Sequence, residues 1–102
     1  INLSIGGACA SGNCVTDPLV LAVENAVSSG LVVVVSAGNE HCNSAGSDVG
    51  SPAAAASAIT VASSKQGDGF TQQSNFGERV DIIAPGSSRP TFLPCFCKAF
   101  AN

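Results

Sequence analysis

Asp17-Pro18-Leu19-Val20-Leu21-Ala22-Val23-Glu24-Asn25-Ala26-Val27-Ser28-Ser29-Gly30-Leu31-Val32-Val33-Val34-Val35 is the stretch on which the fold turns. Asp17 is a residue type that caps a helix, and Pro18 suits the first helical position, where its missing N–H costs nothing. Leu19, Val23, Ala26 and Val27, with Ala22 beside them, recur at helical spacing and predict one apolar face. Gly30 stands where a helix asks for a left-handed residue to end it. The run Leu31 to Val35 is apolar at every position rather than at alternate ones, which predicts a strand covered on both faces.

Upstream, Ile1-Asn2-Leu3-Ser4-Ile5 alternates apolar and polar and stops at Gly6-Gly7, the pattern of a short strand ending in a glycine turn. Strand, helix and buried strand make a βαβ unit, hence a parallel sheet with a right-handed crossover. Ligand sites in such sheets lie outside the carboxyl ends of the strands. That rule singles out Gly6-Gly7 and Ala37-Gly38-Asn39. Downstream, Ala58-Ile59-Thr60-Val61-Ala62 reads as a third strand. Val80-Asp81-Ile82-Ile83-Ala84 reads as a fourth, stopped by Pro85-Gly86.

The chain has 102 residues, one domain's worth, of which 45% are hydrophobic and 11% charged, against roughly 25% charged in ordinary soluble domains. Its 15 Ala, 14 Ser and 11 Gly suggest close backbone packing. A net charge of −3 with four Lys plus Arg leaves no footprint for nucleic acid. No apolar run reaches the roughly 18 residues that a membrane span requires. Five cysteines are many for a reducing compartment and point to secretion, with free buried thiols as the alternative. Cys9 and Cys14 bracket a short loop that could close as a local disulfide.

Few residues offer chemistry. His41 sits in a polar loop beside Cys42 and reads as a solvated histidine rather than a base, since no partner nucleophile is evident. A zinc site from Cys9, Cys14, His41 and Cys42 matches no usual ligand spacing. Asn2-Leu3-Ser4 fits a glycosylation sequon but falls in a strand. No phosphate-binding glycine loop is present. What remains is Ser36-Ala37-Gly38-Asn39-Glu40, at the end of the valine strand. Asn39 brings a neutral amide donor that could stabilise a developing oxyanion, or it is simply a turn asparagine.

Five segments together resemble the subtilisin-like serine proteases. Leu31 through Glu40 resembles the segment around their oxyanion asparagine, and Asn2 through Gly7 their substrate-binding strand. Ser51-Pro52-Ala53 followed by Ala58 to Ala62 resembles "SPA…ITVGA", Phe70 with Ser74-Asn75-Phe76-Gly77 resembles "SFSNFG", and Val80 to Gly86 resembles "VDIxAPG". The loop Glu40-His41-Cys42-Asn43 leans toward the secreted proteinase K-like branch.

The resemblance implies a three-layer α/β/α fold, present here in part, with residues 1–87 as the centre of a catalytic domain. It makes Asn39 the oxyanion donor, has Ser4, Ile5 and Gly6 pair with substrate backbone, and has Gly7, Ser36, Ala37 and Gly38 line the pocket before the scissile bond. Asp81 with the carbonyls of Pro52 and Ala54 is similar to a calcium site of that branch, the alternative being an exposed strand charge; no other cofactor is required. The implied partners are peptide or protein substrates, with neither nucleic acid nor membrane, and the full-length parent is expected to be a secreted monomer.

The family's triad runs Asp, His, Ser in chain order. No Gly-Thr-Ser occurs here, and residues 88–102 depart from the family's pattern. A frameshift, an unspliced intron or an alternative end would each produce that tail. The 102-residue chain alone is therefore expected to lack triad catalysis. The rival expectation is a catalytically dead product or a peptide-binding module.

Overall fold

The computed structural model describes residues 1–9, 14–40, 49–65, 67, 71 and 73–87. His41, Cys42, Phe70 and the 88–102 tail lie outside the described residues. Four parallel strands form one sheet in sequential order: β1 (Asn2–Leu3), β2 (Val34–Ser36), β3 (Ile59–Lys65) and β4 (Ile82–Ser87). The helix α1 (Pro18–Ser28) crosses from β1 to β2, so the βαβ unit is present as expected.

Local chemistry sets the bounds of α1. Asp17 adopts an extended conformation, and its carboxylate accepts the Leu19 N–H at 3.0 Å, with Pro18 following as the first helical residue. At the other end the Leu31 N–H reaches the Ala26 carbonyl and the Gly30 N–H reaches that of Val27. This paired closure, with Gly30 at φ +90°, is a Schellman end. Upstream of the helix, Cys9 and Cys14 are joined as a disulfide.

One face of the sheet carries the core. Val33, Val35 and Ala37 pack with Val20 and Val23 of α1, and with Val49, Ala53, Ala55, Ala58 and Ala62. Each fully buried valine contributes roughly 1.5–3 kcal/mol, so Val20, Val23, Val33 and Val35 dominate this small cluster.

Three expectations need correction. The buried helical stripe is Val20 and Val23, with Ala26 and Val27 partly buried. Leu19 is 39% exposed, because the stripe facing the sheet is centred one residue further along the helix. The valine strand is not covered on both faces. Val33 and Val35 are 2% and 1% exposed, whereas Val32 is 66% exposed, because α1 covers only one face and no described element lies over the other. Nor do Pro85-Gly86 stop the fourth strand. They lie inside β4, where Ser64 pairs with Pro85 and the register then skips to Lys65 with Ser87. A proline costs no ladder bond on a last strand. Gly86 rests against the Ser63 side chain with no room for a Cβ.

Candidate functional site

Past β2 the chain turns through Ala37-Gly38-Asn39-Glu40 at the carboxyl ends of the strands. The Ala37 N–H continues the ladder to the Val61 carbonyl at 2.9 Å. Gly38 has φ +99°, and a Cβ there would stand 2.7 Å from the Asn75 amide nitrogen. The position is closed to other residues on both counts.

Asn75, 1% exposed, grips this turn. Its Nδ2 donates to the Ala37 carbonyl at 3.1 Å and to Glu40 Oε2 at 2.7 Å. Its Oδ1 accepts the Glu40 N–H at 2.8 Å, and its own N–H donates to the Gly38 carbonyl at 3.0 Å. Glu40 Oε2 also accepts the Asn39 N–H at 2.9 Å. The segment bearing Asn75 is anchored in turn, since Ser74 Oγ accepts the Ser63 N–H at 2.9 Å and Thr71 Oγ1 donates to the Ser63 carbonyl.

The exposed Asn39 opens onto a cleft of about 330 Å³, which Ser4, Ser36, Gly38, Ser63 and Pro85 also line. Five of the residues singled out in the sequence, Ser4, Ser36, Ala37, Gly38 and Asn39, thus share one cleft. Ile5, Gly6 and Gly7 line a neighbouring hollow of about 310 Å³ with Asp17 and Ser51. Residues lining the two are in contact: Ser36 Oγ donates to the Ile5 carbonyl at 3.2 Å, and a Cβ on Gly6 would lie 3.9 Å from Gly38 Cα. Gly7 forms an isolated antiparallel bridge with Ser51. Asn75 was visible in the sequence only as part of a turn.

The residues around Asp81 are placed differently. Asp81 is exposed, and its Oδ2 accepts the Thr60 N–H at 2.7 Å, while Thr60 Oγ1 donates to the Ala53 carbonyl. Pro52 is buried and its carbonyl accepts the Ala55 N–H, with Ala54 half-buried beside it. No group of three or more His, Cys, Asp or Glu able to hold a metal occurs among the described residues. No helix among them is long and apolar enough to cross a membrane.

Comparison with known proteins gives the family and the fold of this chain. A family model described as the subtilase family matches residues 1–99. The chain belongs to the subtilase family. Subtilisin-like protease 5 of Trichophyton tonsurans is 40% identical over 94 residues, covering 88% of this chain and 22% of that protein. A protein named extracellular protease from Xanthomonas campestris pv. campestris is 43% identical over 88 residues, covering 86% and 14%. The crystal structure of a cold adapted subtilisin-like serine proteinase superposes with a TM-score of 0.65 at 36% identity, covering 84% of this chain and 28% of that one. This subtilase segment therefore spans 14% to 22% of the length of these curated relatives. The parallel sheet with its helix is a partial subtilisin-like α/β fold.

Proposed function

We propose that the protein to which this segment belongs is a secreted, monomeric serine endopeptidase, and that the segment supplies its substrate strand and oxyanion donor. The observation that carries the reading is the Ala37–Glu40 turn, held at the carboxyl end of β2 with Asn39 opening onto the cleft beside Ser4. Ser4, Ile5 and Gly6 pair with an extended peptide as an added strand, a mode that reads main chain more than side chain. Ser36, Ala37 and Gly38, with Gly7, leave room for the side chain before the scissile bond, and their small size favours large apolar residues there. As the serine attacks the peptide carbonyl, the Asn39 amide donates to the developing oxyanion. The Asp, His and Ser of the triad come from chain outside residues 1–87. The cysteine-rich composition, the Cys9–Cys14 disulfide and the relative named an extracellular protease support secretion.

The Asp81 carboxylate and the carbonyls of Pro52 and Ala54 are all hard oxygen donors, the set calcium takes, and they supply three of its usual six to eight ligands. They would hold a structural ion that takes no part in the reaction. Chelation is then expected to lower the Tm of the full-length protein but not that of its Asp81→Asn variant; equal shifts in both would remove Asp81 from the site.

The activity is tested with the full-length protein, which is expected to hydrolyse an unfolded protein substrate and to take up one equivalent of a serine-directed phosphonate. The isolated 102-residue chain is expected to take up none. A full-length protein that neither cleaves nor labels contradicts the proposal.

A further inference from the structure

We propose that Asn75 is the positioning residue of the oxyanion turn, acting with Glu40 as a clasp that fixes where Asn39 donates; the assignment rests on the reading of Asn39 given above. One residue, 35–38 positions away in the chain, holds the segment on both sides of Asn39. Its amide nitrogen takes the carbonyl of Ala37 before the turn, and its amide oxygen takes the N–H of Glu40 after it. The Glu40 carboxylate closes the ring by accepting from both the Asn75 amide and the Asn39 N–H. Only a primary amide supplies two donors and an acceptor from one planar group. An aspartate at position 75 would set a second carboxylate against Glu40, and a serine could not span both contacts.

Burial makes the clasp rigid. Asn75 is 1% exposed and each of its side-chain polar atoms is hydrogen-bonded within the protein, so the buried amide has its partners in place. Gly38 completes it, because the amide nitrogen fills the space that a Cβ would need. An oxyanion donor works only when it is held in place before charge develops, and displacements under an ångström matter. Asn75 does not line the cleft, so its effect on turnover runs through Asn39.

The test is a double-mutant cycle in the full-length protease, with kcat expressed per titrated active site. Asn75→Ala is expected to lower kcat about 10- to 100-fold with KM within about 3-fold, less than loss of the donor itself. In an Asn39→Ala background the same substitution is expected to cost almost nothing further, because the residue it positions is gone. Asn75→Asp is expected to lower kcat as well. Adding Glu40→Gln to it is expected to recover a few-fold of that loss, since the second carboxylate is then gone while an amide oxygen still accepts the Asn39 N–H; this pair also serves if the alanine variant does not fold. Equal losses in both backgrounds, or a lowered Tm with kcat per active site unchanged, would overturn the proposal. An unsubstituted protease that cleaves nothing would overturn the assignment of Asn39, and this one with it.

Discussion

Gly38 shows how much of the site rests on single atoms. Its φ of +99° is one that residues with a Cβ rarely adopt, and its missing side chain is the space the Asn75 amide occupies. The amide cannot swing away without breaking its bonds to Ala37 and Glu40. Gly38→Ala in the full-length protein is therefore expected to cost about 1–3 kcal/mol of unfolding free energy and to lower kcat by disturbing the clasp. Urea unfolding with parallel kinetics checks both, and a variant unchanged in either would show that the turn has slack. Gly38 and Asn39 were legible in the sequence because a glycine-bearing turn at the end of an apolar strand is a local pattern. Asn75 was not, because its partners lie 35–38 residues away and only the folded sheet brings Ser63, Ser74 and the turn together.

At the scale of elements, legibility followed the range of the deciding interaction. Both ends of α1 were readable because Asp17, Pro18 and Gly30 act within a turn of themselves. Of the predicted face, Val23, Ala26 and Val27 do turn toward the core, while Val20 takes the place of Leu19 and Ala22 is exposed, since periodicity locates a stripe but not its edges. The end of β4 was misjudged because the Pro85-Gly86 irregularity is set by the adjacent Ser63–Lys65 stretch.

The helix is further tied to the 52–58 segment through Glu24, whose carboxylate accepts from the Ser57 hydroxyl and N–H. The Ser57 hydroxyl is the main cause holding the Glu24 carboxyl below its ordinary value of 4.5. A lowered carboxylate pKa means the stabilisation is complete above the ordinary value and is lost as pH falls through the folded one. Wild type is thus expected to melt slightly above Glu24→Gln near neutral pH, with the gap closing as pH drops well below 4.5. The gap stays small because this contact is largely exposed. A gap that persists or widens in acid would contradict the link.

Across the whole molecule, the helix covers one face of the sheet and leaves the other bare. The covered face holds the valine core, and the cleft is lined by Ser36, Asn39 and Ser63 together with Val35, Ala37 and Ala62 of that core. Leu31, Val32, Ile82 and Ile83 are all about half exposed or more, and β4 is the last strand in the sheet order. Apolar surface of that kind beside a strand edge invites association. The 102-residue chain expressed alone is expected to self-associate during size-exclusion chromatography, whereas the full-length protein elutes as a monomer. A compact monomer from the short chain would show that these surfaces need no cover.

Asn39 as the donor to the oxyanion is tested most directly by the steady-state kinetics of Asn39→Ala in the full-length protein. The expected result is a fall in kcat of about 10²–10³ with KM little changed, a magnitude that comes from a subtilisin itself. A kcat equal to that of the unsubstituted protein would contradict that role and leave Asn39 an ordinary turn residue.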